Sequence, residues 1–138
     1  MIKGVAHVCI GAFDLKDAED FYCRVLGFKK KFSFINSGKE CGFYLDLGNG
    51  EFIEVFQEDN CEEVGTQMIR HVCLEVDDID KLIKDVRSRG WEIGDKSMGA
   101  DSSWQCWITD PSGIRFEFHQ YTEESSQITG EDCTVEWK

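Results

Sequence analysis

Two histidines and two glutamates recur at matched places along this chain, and together they have the chemistry of a metal site. His7 lies in Gly4-Val5-Ala6-His7-Val8-Cys9-Ile10, and 64 residues later His71 lies in Met68-Ile69-Arg70-His71-Val72-Cys73-Leu74. Glu54 lies in Gly50-Glu51-Phe52-Ile53-Glu54-Val55-Phe56, and 63 residues later Glu117 lies in Gly113-Ile114-Arg115-Phe116-Glu117-Phe118-His119. Two imidazoles and two carboxylates make a mixed nitrogen and oxygen donor set for one divalent ion, Zn, Ni, Co, Fe or Mn, with positions left for water or substrate. A lone strand histidine is more simply a satisfied core residue. A lone glutamate between phenylalanine and isoleucine is harder to explain, because carboxylates are rarely buried without a partner or a metal. An ion held by this set would act as a Lewis acid toward a bound substrate oxygen and acidify a hydrogen on the adjoining carbon. Glu117 is the first candidate for the base that takes the proton and Glu54 the second.

Neighbouring residues compete for the same roles. Cys9 and Cys73 stand two residues beyond each histidine on the same strand face. That step of about 6.6–6.8 Å puts them one layer from a histidine-centred ion, where filling the core is the simpler role. His119 and Glu75 are placed like them, as supporting or substrate-contacting groups. Phe52, Phe56, Trp104 and Trp107 could wall a pocket, although Trp104 and Trp107 point to opposite faces and only one can do so. Ser102, Ser103 and Gln105 could meet a polar substrate, or simply form a loop.

Each copy must position its histidine and glutamate on strands. In the first, residues 5–10 alternate and 15–25 carry apolar residues at helical spacing behind Asp14 and ahead of Gly27. Strands follow at 28–35, 41–47 and 51–57, separated by turn-forming sequence. In the second, a strand at 69–76, a helix at 79–89 stopped by Gly90, and strands at 91–96, 104–109 and 114–121 repeat the order. The fold expected is α+β, two tandem βαβββ modules forming a curved mixed sheet around the metal. The modules span 1–57 and 68–121, joined by an acidic linker at 58–67. An acidic tail follows at 122–138; Val135 and Trp137 could dock on a partner subunit, but fraying is the plain expectation.

Composition narrows the function classes. A net charge of −12 repels phosphates, so no nucleic-acid partner and no anionic membrane surface is expected. No apolar run reaches the roughly 18–20 residues of a bilayer span, and the first residues do not read as a signal peptide. The seven cysteines form no C-x-x-C pair. Their scatter predicts reduced thiols and a cytoplasmic protein.

Four segments carry a family resemblance: Ala6-His7-Val8, Phe21-Tyr22-Cys23-Arg24-Val25-Leu26-Gly27-Phe28, Arg70-His71-Val72, and Asp110-Pro111-Ser112-Gly113-Ile114-Arg115-Phe116-Glu117. With them, residues 1 to about 121 resemble the vicinal oxygen chelate superfamily, which includes glyoxalase I, bleomycin and fosfomycin resistance proteins and extradiol dioxygenases. The resemblance implies metal ligation by His7, Glu54, His71 and Glu117, a small-molecule substrate and a homodimer. Acids in both closing strands resemble glyoxalase I most, implying a lyase or isomerase. The positions that contact glutathione in that enzyme, an arginine and an asparagine, are here Gly11 and Glu58, which argues against glutathione. A ligand-sequestering or antibiotic-resistance protein and an iron-dependent ring-cleaving dioxygenase are the alternative readings.

Overall fold

The computed structural model describes residues 1, 3–59 and 69–135. Most of the expected 58–67 linker and Trp137 lie outside the described residues. The chain divides into two compact units, Met1–Gly65 with Asp110–Gly113, and Thr66–Thr109 with Ile114–Lys138.

In the first unit, strand β1 (His7–Ala12) leads into helix α1 (Leu15–Glu19), which continues as a π-helical segment over Asp20–Val25. Asp14 starts this helix by accepting from the backbone N–H groups of Lys16 and Asp17 at 2.8 and 2.9 Å, satisfying donors that the first turn leaves without partners. Gly27 ends it with φ +81°, a left-handed conformation that costs glycine little. Strands β2 (Lys29–Asn36), β3 (Lys39–Gly48) and β4 (Glu51–Gln57) follow. The sheet order is β1-β4-β3-β2, with β1 parallel to β4 and the other pairs antiparallel. The alternation of strand side chains divides the sheet. Phe43, Leu45, Ile53 and Val55 are buried, as are Ala18, Phe21, Tyr22 and Val25 of the helical segment. The opposite face carries His7, Cys9, Tyr44 and Glu54.

The second unit repeats this plan. Strand β5 (Val72–Glu75) precedes helix α2 (Ile79–Ser88), whose Asp78 cap accepts from Lys81 N–H at 2.9 Å. Strands β6 (Ser97–Met98), β7 (Trp104–Thr109) and β8 (Arg115–Gln120) complete a sheet of order β5-β8-β7-β6. Ile79, Ile83 and Val86 of α2 are buried, as are Cys106, Ile108, Phe116 and Phe118 of the sheet. The fold is therefore α+β, two four-stranded mixed sheets with few helices and neither sheet closed.

Three local expectations are corrected. Residues 91–96 form no strand; the edge strand is two residues long, at Ser97–Met98. Before it, Trp91 Nε1 donates to the Thr109 carbonyl and Gly94 N–H to the Trp107 carbonyl, so this stretch is tied to β7 without ladder pairing. His71 lies just outside β5. The tail does not fray at its start: Ser125 is fully buried, its Oγ donates to the Ser102 carbonyl, and the short helix α3 (Ser126–Thr129) follows. Val135 is exposed.

Candidate metal centre

In the first unit the ladder register determines which groups meet. Cys9 is the Cα partner of Glu54, while His7 stands opposite Phe52. The imidazole therefore reaches Glu54 diagonally, Nε2 lying 2.8 Å from Oε1. On the other side of the ring, Nδ1 is 3.4 Å from Tyr44 Oη, and the two rings meet edge-on with centroids 5.9 Å apart. With its proton on Nε2 toward the carboxylate, the ring can accept from Tyr44 at Nδ1; with Nε2 given to a metal, Nδ1–H can donate to Tyr44. Burial and the nearby Glu54 charge both raise the Cys9 thiol above its ordinary value.

Around this pair the same face is aromatic. Tyr44 stacks on Phe32 at 4.7 Å and on Phe52 at 5.2 Å, and Phe34 packs on Phe56 at 4.6 Å. Gly42 makes the last contact possible, since a Cβ there would lie 2.6 Å from the Phe56 ring and 2.4 Å from the Val55 carbonyl oxygen. Phe32 keeps 45% of its surface exposed. At the end of β1, Gly11 adjoins Glu58, whose Cβ would lie 3.1 Å from an added Cβ.

In the second unit Glu117 sits between two imidazoles. Its Oε2 is 3.0 Å from His71 Nε2 and its Oε1 is 3.0 Å from His119 Nε2. Across the ladders, Cys73 on β5 and Trp107 on β7 are the Cα partners of Glu117. Trp107 meets His71 edge-on at 4.9 Å and carries the Arg115 guanidinium 4.4 Å over its ring. Trp104 turns to the other face and receives Lys96 Nζ at 4.6 Å, so Trp107 is the tryptophan beside the glutamate. Burial, the Glu117 charge and a hydrogen bond to that carboxylate push the Cys73 thiol up to about 12. Ligand atoms of Cys73, Glu117 and His119 all lie within 4.8 Å of one another.

Asp101, which the sequence reading did not single out, flanks His119, with Oδ2 3.8 Å from Nδ1. Burial alone would raise this carboxyl. Donors from Gln127 and from the backbone and hydroxyl of Ser103 outweigh it and hold Asp101 below its usual value. Gly99 leaves room for the arrangement, because a Cβ there would lie 2.7 Å from Asp101 Oδ1. Its sequence signal was weak: an aspartate in a Gly-Ala-Asp-Ser-Ser loop resembles any turn.

The structure thus brings together the expected residues as two pairs, His7 with Glu54 and His71 with Glu117, one in each unit. Each pair is in direct imidazole–carboxylate contact. Two ligand atoms about 2.0–2.1 Å from one ion are about 2.9 Å apart at right angles and about 3.3 Å apart in a tetrahedron. Separations of 2.8 and 3.0 Å lie close to the right-angle value and are equally those of an imidazole N–H donating to a carboxylate.

Among solved structures, a glyoxalase family protein from Enterococcus faecalis superimposes with a TM-score of 0.74 at 24% identity, covering 85% of this chain and 97% of that one. TnmS3, an antibiotic binding protein from Streptomyces sp. CB03234, matches with a TM-score of 0.71 at 19% identity over 88% and 98% of the two chains. A lactoylglutathione lyase from Agrobacterium tumefaciens matches with a TM-score of 0.66 at 18% identity over 86% and 94%. No curated protein matches the sequence significantly. These likenesses establish the fold, and a family model covering residues 4–118 establishes descent: the chain belongs to the Glyoxalase/Bleomycin resistance protein/Dioxygenase superfamily.

Proposed function

We propose that the protein is a divalent-metal-dependent lyase or isomerase of the glyoxalase I type, acting on a small substrate with vicinal oxygens. His7, Glu54, His71 and Glu117 would hold one ion, and the duplicated imidazole–carboxylate contact at metal-ligand spacing carries this reading. A bound Zn, Ni, Co, Fe or Mn ion would supply Lewis-acid stabilisation of negative charge on substrate oxygen. The chain's own residues would move the proton. Glu117, 8% exposed and packed between imidazoles, is a carboxylate shielded from water yet held in place, as a base at carbon requires. Glu54, whose Oε1 meets His7 Nε2 at 2.8 Å, is its counterpart in the first unit and the second candidate. Phe52, Phe56 and Trp107 would exclude water around the two carboxylates.

Glutathione fits poorly. Gly11 offers no cation, and the neighbouring Glu58 adds a negative charge that would repel an anionic tripeptide. A compact neutral or weakly charged α-hydroxycarbonyl compound suits these residues better. The same reading takes the protein as a cytoplasmic homodimer.

The test measures bound metal and, by NMR, deuterium exchange from solvent into small α-hydroxycarbonyl compounds. Wild type should hold one ion per site and exchange the hydrogen, with or without oxygen. Glu117→Gln should lower exchange by about 10²–10⁴-fold, the usual contribution of a positioned base, with its circular dichroism unchanged. Exchange at the wild-type rate in that variant would remove Glu117 from the chemistry. One observation favours a second reading, ligand sequestration: the half-open aromatic face of Phe32, Phe34, Tyr44, Phe52 and Phe56. Tight binding of a planar aromatic ligand by metal-free protein, quenching tyrosine or tryptophan fluorescence, would support it instead.

A further inference from the structure

Glu117 has two oxygens with different neighbours. Oε2 faces His71, the residue duplicated in the first unit. Oε1 faces a group that has no counterpart there, for the residue of β4 that matches His119 is Phe56. His119 Nε2 stands there at 3.0 Å, and one ligand atom from each of Cys73, Glu117 and His119 lies within 4.8 Å of the other two.

His119 Nε2 is buried and makes no hydrogen bond, although a carboxylate oxygen lies at hydrogen-bonding distance. The distance is right and the direction is not. A nitrogen lone pair and a carboxylate oxygen 3.0 Å apart repel each other unless a positive charge lies between them, and leaving a buried polar atom unpaired is costly. A cation bound by both atoms would remove both penalties. The other ring nitrogen, Nδ1, faces Asp101, itself fixed by Ser103 and Gln127. A metal-ligating imidazole is commonly oriented in this way by a carboxylate at its second nitrogen.

We propose that Cys73 Sγ, Glu117 Oε1 and His119 Nε2 form a second cation site within the second unit, selective for thiophilic divalent ions such as zinc. Cys73 would bind as the thiolate, its proton released to solvent. Thiolate and carboxylate then balance the ion's two charges in a half-buried setting, and the imidazole stays neutral. A sulfur, a nitrogen and one oxygen suit zinc or cobalt(II) and disfavour magnesium, which prefers oxygen alone. Three protein ligands leave a fourth tetrahedral position for water. The site does not depend on ligation by His7, Glu54 or His71.

Cobalt(II) tests this, because thiolate ligation gives a charge-transfer band in the near ultraviolet that nitrogen and oxygen ligands do not. Titrated into the metal-stripped full-length chain, cobalt should produce the band, and zinc but not magnesium should displace it. Cys73→Ser should abolish it, and His119→Gln should abolish or strongly weaken it. Cys9→Ser, Glu54→Gln and His7→Ala should leave it intact. Asp101→Asn should keep the band while weakening cobalt binding by about 10–100-fold, as expected for a residue that orients a ligand. Absence of the band in wild type, or its persistence in Cys73→Ser, would overturn the proposal. So would its loss in Cys9→Ser or Glu54→Gln, which would place the thiolate ligation elsewhere. Cobalt bound without the band would leave the four-residue centre standing while removing this one.

Discussion

At the scale of single residues, buried hydroxyl and carboxylate groups are the most sensitive points. Tyr22 is fully buried and its hydroxyl donates to Asp110 Oδ2 at 2.6 Å. This links the helical segment of the first unit to the Asp110–Gly113 turn counted with that unit. Tyr22→Phe removes a hydrogen bond to a charged acceptor and should lower unfolding stability by about 1.5–3 kcal/mol in urea titrations. Burial and the Asp110 charge also push the Tyr22 phenol far above its ordinary value of 10.0. A raised folded-state value favours the protonated form, so the contribution is complete below about pH 10. It falls as pH rises beyond the value at which the unfolded chain titrates. The stability gap between wild type and Tyr22→Phe should therefore be constant at neutral pH and narrow above about pH 10. The raised thiols Cys73 and Cys106 are common to both proteins and cancel in that difference.

Among the elements, β3 shows how a glycine can shape a ligand face. Gly42 lies opposite Phe56, and an added Cβ would come 2.4 Å from a backbone oxygen of the neighbouring strand. Gly42→Ala should cost about 1–3 kcal/mol, the range for overpacking. It should also tilt Phe56 away from Phe34, read as altered aromatic-ring NMR shifts at both rings. Wild-type stability and unchanged shifts would mean that the strand yields without strain. The capped helices were legible in advance, because Asp14 and Asp78 precede apolar residues at helical spacing and Gly27 and Gly90 follow them. The edge strand of the second sheet was not. Trp91 and Ile93 alternate like a strand, but the stretch meets β7 through the Trp91 indole and the Gly94 N–H, while the Ile93 carbonyl accepts from Arg87. Periodicity registers which side chains are buried and not which backbone groups pair.

For the whole molecule, charge and metal should affect stability in separable ways. A net charge of −12 destabilises a compact state through self-repulsion, which salt screens. Sodium chloride should raise the melting temperature of wild type and of the His7→Ala/His71→Ala double variant alike. In a Cys73→Ser background, which removes the thiolate of the second site, a transition-metal ion at 100 times its dissociation constant should add about 2.7 kcal/mol to the protein that keeps His7 and His71 and not to the one that lacks them, a rise of several degrees by calorimetry that a chelator reverses. Equal shifts with and without the two histidines in that background would mean that the ion does not bind through His7 and His71. Among the described residues no helix is long and apolar enough to cross a membrane.

The duplicated histidines and glutamates were readable from the chain alone, because a repeat preserves spacing and strand alternation fixes the face on which each side chain stands. The fold class and the family were readable for the same reason. Which groups touch was decided by register between strands distant in sequence. Pairing of β5 with β8 puts Cys73, and not His71, directly opposite Glu117, so a cysteine one layer from its histidine along one strand is level with the glutamate across the ladder. The burial of His119 Nε2 and the approach of Asp101 were likewise beyond local pattern, since they depend on a loop and a short helix whose hydrogen bonds form only once the sheet is assembled.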